Sequence, residues 1–438
     1  MYDFLIIGGG VLGCAVAREL TRYSFGVAVA EVETDVCAAE AGTGGMICAA
    51  RTLLPFRQNA SKYAVTGERM FGAYAAALDV PYKRTGAMFA FTDASACAAL
   101  AARCRRVGLP FEECDPSRAA EVEPALASCL GAKRALYFPN AGIADGCEFV
   151  FALRENAERN GAEFYFGCAA ESAESDGHVV TVTFAGGKRI SARNVICCAG
   201  SGAEALSRSF GDNVRLDRRE EIVAVADVPA RPRMPVFYDG KSYVSPRTCG
   251  RYLAGADEAS LSLARPAASG MPQATERLAG MGVALSSPQY FAASRADCCG
   301  DLAIVSGGTP GVRYIAGAGS YGLTVAPALA STLARSFGLP RNMSFVPSRK
   351  GMVRVSRLGA AERNALALSE RGYGRIVLAS PLVTEGEIAD AVRRGANTVA
   401  GLDRRLLPAG VSGGVRFAEA LARLGKSDCF TEDEDAHR

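Results

Sequence analysis

The chain opens on a continuous apolar run, Phe4-Leu5-Ile6-Ile7, of the kind shown by a parallel strand buried on both faces. Leu12, Val16 and Leu20 then recur at every fourth position, which predicts a helix with one apolar stripe to lay against a sheet. A second apolar run, Val27-Ala28-Val29-Ala30, predicts another strand and ends on an acid, Glu31. A helix is expected over about Lys62 to Leu78, and a strand over Ala87 to Phe91. Segments 81–139 and 216–289 alternate apolar and polar residues between Pro and Gly breaks, as in Tyr243-Val244-Ser245-Pro246 and Arg251-Tyr252-Leu253-Ala254-Gly255, and predict a mostly antiparallel sheet.

Between the first strand and the first helix stand Gly8, Gly10 and Gly13, in the spacing G-x-G-x-x-G. Glycines there tighten the turn, let backbone N–H groups approach a pyrophosphate and let helix and strand pack closely, while the helix N-terminus favours negative charge. Glu31 is placed to accept hydrogen bonds from an adenosine ribose and to repel a 2′-phosphate, which disfavours NADP. Strand, glycines, helix, strand and acid in that order predict a dinucleotide site, and do not choose between FAD and NAD. The next loop, from Ala38 to Gly45, is rich in small residues and ends in Thr43-Gly44-Gly45-Met46, backbone suited to close passage over a flat ligand.

A length of 438 residues allows two or three domains, and the formal net charge of +3 with no basic block interleaved with aromatics argues against a nucleic-acid partner. No apolar stretch approaches the roughly eighteen residues of a membrane span, and the apolar start lacks a basic n-region. The expected place is the cytoplasm, with peripheral contact at the inner membrane through a partner left open. The fifteen cysteines are scattered, odd in number and contain no C-x-x-C, as expected of small buried hydrophobes in a reducing compartment. The adjacent pairs Cys197-Cys198 and Cys298-Cys299 are readable as redox pairs, although vicinal disulfides are strained.

The glycine-rich start, Thr43-Gly44-Gly45, Lys83-Arg84-Thr85-Gly86, Tyr137-Phe138-Pro139-Asn140-Ala141-Gly142-Ile143 and Asp145 resemble, in order, the D-amino-acid-oxidase superfamily of flavoproteins. The likeness is closest to the catalytic subunit of anaerobic glycerol-3-phosphate dehydrogenase and to L-2-hydroxyglutarate oxidase. It continues through Val195-Ile196-Cys197-Cys198-Ala199-Gly200, Phe291-Ala292-Ala293-Ser294-Arg295, and Ile315 to Thr324. The resemblance implies an α/β (α+β overall) fold. A Rossmann-like FAD-binding domain is assembled from residues 1–80, 140–215 and 290–340, and an antiparallel-sheet substrate domain from 81–139 and 216–289. FAD would be held by Gly8, Gly10, Gly13, Glu31, Thr43, Gly44, Gly45, Met46, Cys198, Ala199, Gly200, Gly317, Gly319, Gly322, Leu323 and Thr324. Gly322-Leu323-Thr324 opens a helix to about Phe337, whose N-terminal amides suit the N1–C2=O edge of the flavin.

Residues 345–430 resemble a small helical domain similar to bacterioferritin-associated ferredoxin, which in these dehydrogenases holds a two-iron cluster on four cysteines. Here Leu378-Ala379-Ser380 replaces the first Cys-x-Cys and the second pair is absent from Ala409 to Phe417, so no metal is expected. Thr384 and Glu387 have the spacing of a capping box, and residues 431–438 form an acidic tail.

The resemblance implies transfer of hydride to flavin N5 from a small anionic substrate, glycerol 3-phosphate or a 2-hydroxy acid. Arg295 corresponds to the residue that contacts the substrate acid, and a guanidinium fork suits carboxylate or phosphate. Arg51, Arg247 and Arg251 are further cations. An alcohol also needs a base, but the only histidines are His178, in a hairpin-like turn, and His437, in the tail. Cys48 occupies the place of the related enzymes' histidine. That opens the alternatives of an amino- or imino-acid substrate, or of a catalytically weak flavin-binding subunit passing electrons to a partner protein or quinone. Tyr321, Tyr243 and Tyr252 are the remaining candidate hydrogen-bond partners of a substrate.

Overall fold

The computed structural model describes residues 1–37, 45–128, 131–239, 242–256, 284–338, 340–408 and 411–425, the side chains of 127–128, 218–222, 256 and 290–295 excepted. Thr43, Gly44, Cys429, His437 and the acidic tail lie outside the described residues. The chain divides into two compact units, Met1–Arg349 and Lys350–Arg438.

In the first unit the apolar strand Tyr2–Ile7 lies parallel between Arg189–Cys197 and Val27–Ala30, and Val27–Ala30 pairs on with Glu163–Tyr165. The strand Arg189–Cys197 serves two partners on its other edge. Its first residues run antiparallel to Val180–Phe184, and Val195 to Cys197 run parallel to Val312–Ala316. All ten residues of the helix Val11–Leu20 are buried, because it packs on the sheet between the helices Gly146–Arg159 and Gly322–Ser336. Such a helix is covered on every side.

A second sheet runs, in spatial order, Ser286–Asp297, Asp217–Asp227, Tyr252–Ala256, Ser242–Pro246, Val236–Tyr238, Ala87–Phe91, Arg134–Phe138 and Glu112–Cys114. Its pairs are antiparallel except Val236–Tyr238 with Ala87–Phe91. Every residue of Ala87–Phe91 is buried, and Phe89 stacks on Phe237 at 4.3 Å between ring centroids. Both sheets, with the segments read as nucleotide-binding and substrate-binding, therefore form one unit.

The division falls after Arg349, so Phe345, Pro347 and Arg349 pack with the first unit. Asn156 donates to the carbonyls of Val346 and Ser348, and Arg18 to that of Pro347, each at 3.1 Å. The buried Arg349 guanidinium pairs with Glu148 at 2.8 Å and Glu155 at 2.7 Å and donates to Leu78 O at 3.2 Å. A segment without secondary structure is thus fixed by having its backbone carbonyls and its charge satisfied.

Among the described residues the second unit holds the hairpin Ile376–Ala379 and Leu382–Thr384 and three helices, Glu385–Arg393, Val399–Leu406 and Gly414–Arg423, around Val383, Ile388, Leu402, Leu406, Phe417 and Leu421, while Ala360–Ser369 buries none of its residues. Thr384 caps the helix Glu385–Arg393 and Glu387 returns the bond, the reciprocal pair expected from the spacing. Leu378 lies on the first strand of the hairpin and Ser380 in its turn. Among the described residues no helix is long and apolar enough to cross a membrane.

Candidate functional site

A cavity of about 1000 Å³ opens at the carboxyl ends of Tyr2–Ile7, Val27–Ala30 and Val312–Ala316. Its walls include Gly8, Gly10, Glu31, Gly45, Met46, Cys198, Ala199, Gly200, Gly317, Gly319, Gly322 and Leu323. This is where open α/β sheets bind ligands, because strand ends and helix N-termini converge there.

The glycine turn is shaped by close approaches of backbone. A Cβ on Gly8, whose φ is +109°, would lie 2.5 Å from Cys198 O, and one on Gly13 would lie 1.9 Å from Gly8 O. Gly13 therefore shapes the turn without lining the cavity. The helix Val11–Leu20 has Gly10 as its N-cap, with no capping side chain, and a helix N-terminus favours a ligand's negative charge. Glu31 Oε2 accepts from Gly9 N, and Oε1 from Glu33 N at 3.0 Å, which fixes the carboxylate beside the glycines.

At the other end the turn from Gly317 to Tyr321 leads into the helix Gly322–Ser336, which also lacks a side-chain cap. Tyr321, expected to meet substrate, is instead 2 % exposed and braces this turn from beneath. Its hydroxyl donates to Gly317 O at 2.9 Å, and its ring lies under Arg57, which pairs with the buried Asp297 at 3.2 Å. Thr324 is buried and its hydroxyl accepts from Cys48 N at 3.3 Å.

Cys48 is fully buried and does not line the cavity; burial and the neighbouring Glu68 push its thiol up, so it is held protonated. Burial also lifts Cys198 to about 12. The described cysteines are free thiols, both adjacent pairs included. Glu68, which sequence reasoning passed over, is 3 % exposed and accepts from Ala49 N at 2.7 Å. It fastens the segment Ala49–Thr52 that carries Arg51.

Arg51 lines the cavity, its Nη1 donating to Ser320 O at 3.0 Å and its Nη2 to Ser320 Oγ at 2.9 Å. Arg251 is engaged by Gln289, Val225 O and Ser287 O. Tyr243 lines the cavity and Tyr252 does not. Arg295 lies on the strand Ser286–Asp297 opposite Arg219; its side chain lies outside the described residues, and the next residue, Ala296, lines the cavity. His178 is exposed.

These surroundings fit FAD. The helix N-terminus at Gly10 suits its pyrophosphate and Glu31 its ribose, while Gly8 lets the strand end pack against the Cys198 carbonyl. The amides at Gly322 and Leu323 suit an electron-rich ring edge. FAD, when bound, supplies a two-electron acceptor.

Residues 3–336 match the family described as FAD dependent oxidoreductase, DAO. A glycerol 3-phosphate dehydrogenase of Caloramator mitchellensis is 25% identical, over 93% of this chain and 90% of its own length. A mitochondrial L-2-hydroxyglutarate dehydrogenase of Caenorhabditis elegans is 29% identical over 48% of this chain, which spans about half (50%) of that relative. Among solved structures, L-alpha-glycerophosphate oxidase from Mycoplasma pneumoniae superposes with a TM-score of 0.69 at 19% identity, covering 80% of this chain and 98% of its own. Glycine oxidase from Geobacillus kaustophilus gives 0.66 at 21% identity, covering 80% and 99%. These two likenesses speak to the fold; the family match, the glycine turn and Glu31 together establish that the chain belongs to the DAO family of FAD-dependent oxidoreductases.

Proposed function

We propose that this FAD-dependent oxidoreductase oxidises a small anionic substrate, glycerol 3-phosphate or a 2-hydroxy acid. The observation that carries the reading is the polarity of the cavity. Glu31 and Glu33, which follow Val27–Ala30 on one side of Tyr2–Ile7, mark one end, while the N-terminus of Gly322–Ser336, which follows Val312–Ala316 on the other side, and Arg51, bonded to Ser320, mark the other. An anionic substrate is steered away from the first end and toward the second. The relationship to the Caloramator glycerol 3-phosphate dehydrogenase, which spans nearly the whole of both chains, supports the same class.

Arg295 is the proposed anchor of the substrate anion, from its place in Phe291-Ala292-Ala293-Ser294-Arg295. Losing a charge-assisted contact in a closed site costs about 2–5 kcal/mol, so Arg295→Ala is expected to lose on the order of 30- to several-thousand-fold in kcat/KM. An unchanged rate of flavin reduction and unchanged apparent affinity in that variant would move the anchor elsewhere.

One observation favours a second reading, an amino or imino acid. The buried Cys48 thiol is held protonated and His178 is exposed, so neither is placed as the base an alcohol requires. A neutral amine needs no such base. Anaerobic mixing of the FAD-loaded protein with glycerol 3-phosphate, L-2-hydroxyglutarate, lactate, glycine and proline, followed at the flavin absorbance band, separates the two. Bleaching by the first three supports the proposal, and bleaching by glycine or proline alone replaces it.

A further inference from the structure

We propose that Arg51 is a specificity-determining residue that receives the oxyanion terminus of the substrate, as a second cation beside the proposed anchor Arg295. The inference rests on the reading that the substrate is anionic and names a side chain that meets it. Among the described side chains lining the cavity Arg51 is the only cation, and it is bonded to Ser320 in the turn after Val312–Ala316, whereas Glu31 and Glu33 follow Val27–Ala30 on the far side of Tyr2–Ile7.

Its charge is held but not neutralised. The two hydrogen bonds to Ser320 go to a carbonyl and a hydroxyl, so they orient the guanidinium without supplying a counter-charge, and no carboxylate among the described residues pairs with it. Its central carbon lies 5.5 Å from the ring centre of Phe237 and 5.7 Å from that of Tyr243. The rings remove water from around the cation and attract it through their faces. A half-buried guanidinium in this position pays for its desolvation only when an anion arrives.

The two bonds to Ser320 also leave donors over. A guanidinium has five N–H groups in one plane, and Nε–H with the second hydrogens of Nη1 and Nη2 stay outside the Ser320 contacts. Oriented from behind, such a fork loses little freedom on meeting a carboxylate or phosphate. The wall that carries it is itself fixed, since Glu68 accepts from Ala49 N two residues before it. Arg51 is therefore preorganised from both sides, by the turn it touches and by the segment it belongs to.

The test uses the full-length, FAD-loaded protein, with Arg51→Gln and Arg51→Lys beside it. Inorganic phosphate and acetate are titrated separately while the flavin absorbance spectrum is followed. The anion that perturbs the parent is expected to bind about 10- to 150-fold more weakly to Arg51→Gln, the range for a hydrogen bond to a charged group. Arg51→Lys should fall between them, and the tighter of the two anions identifies the terminus as phosphate or carboxylate. With the substrate in hand, KM should rise while kcat is largely kept, the mark of binding felt equally in ground and transition states. Equal dissociation constants and equal KM in parent and Arg51→Gln overturn the assignment. Should that variant fail to hold FAD, the parent decides: phenylglyoxal modification of Arg51, located by mass spectrometry, should be suppressed by the bound anion, and equal modification with and without it overturns the assignment. Failure of the wider reading looks different, since the parent itself would then be reduced only by uncharged substrates.

Discussion

Glu68 carries a carboxyl group into the first unit at 3 % exposure, and burial lifts it from the ordinary 4.5 to about 7 against the opposing hydrogen bond from Ala49 N. The folded state then holds a proton that the unfolded chain releases at lower pH. Its favourable contribution is complete below about 4.5 and is lost as pH rises through about 7, by up to about 1.4 kcal/mol per pH unit. Urea denaturation should accordingly show stability falling between about pH 5 and 7, with Glu68→Gln flattening that part of the profile. The glycines make a second prediction at this scale. Gly13→Ala drives a methyl group into the carbonyl of Gly8, and is expected to cost about 1–3 kcal/mol and the bound FAD with it. Gly10→Val, at a residue that lines the cavity, should lose FAD, read as absorbance of the purified protein, while its melting curve shows a folded chain. The glycine spacing and Glu31 were legible because turn, helix and acid lie within one local stretch. Glu68 was not, because what it holds is a backbone N–H nineteen positions earlier.

Elements repeat the distinction. The strand Ala87–Phe91 has the bounds its unbroken apolar run predicts. A helix expected from about Lys62 begins instead at Gln58, and its N-cap residue, Arg57, supplies no capping side-chain bond. Its first amides are instead satisfied by Asp301, whose carboxylate accepts from Asn59 N at 2.8 Å and Ala60 N at 3.0 Å. A cap delivered from so far along the chain leaves no local signature. The same helix carries Gly67 against the helix Gly322–Ser336, where a Cβ would lie 1.9 Å from Thr324 O. Gly67→Ala must part the two helices just where the second presents its N-terminus to the cavity. Loss of about 1–3 kcal/mol in stability and a weakened FAD complex are expected, measured by thermal melting and by fluorescence titration of the apoprotein with FAD. Nothing in the sequence separates Gly67 from a glycine of no consequence, since the contact joins two helices far apart in the chain.

At the scale of the molecule, the family match lies within the first unit, whereas a match over 93% of the chain takes in part of residues 350–438 as well. Iron and acid-labile sulfide are expected to be absent after anaerobic purification, because Leu378 and Ser380 stand where thiolates would be needed. Two-iron signals on reduction would contradict this. A chain ending after Arg349 should keep its FAD and its cooperative melting, and one ending before Arg341 should lose both, since the intervening segment is held by Asn156, Arg18, Glu148 and Glu155. The antiparallel character of 81–139 and 216–289 was readable from alternation. That Val236–Tyr238 runs parallel to Ala87–Phe91 within it was not, because partner choice between distant strands is settled by packing.

The pairing of Arg189–Cys197 with Val312–Ala316 bears on how the protein is made. Translation delivers the glycine turn first and the opposite wall of the cavity last, after the whole second sheet has emerged. Throughout that interval the inner strand waits for its neighbour with an unpaired edge, in a topology of long-range contacts that folds slowly and invites association with other nascent chains. A ribosome-bound chain that has not yet released residues 317–323 lacks the walls formed by Gly317, Gly319, Gly322 and Leu323. Flavin capture thereby waits until residues 317–323 have emerged and stabilises by mass action those chains that have closed the sheet.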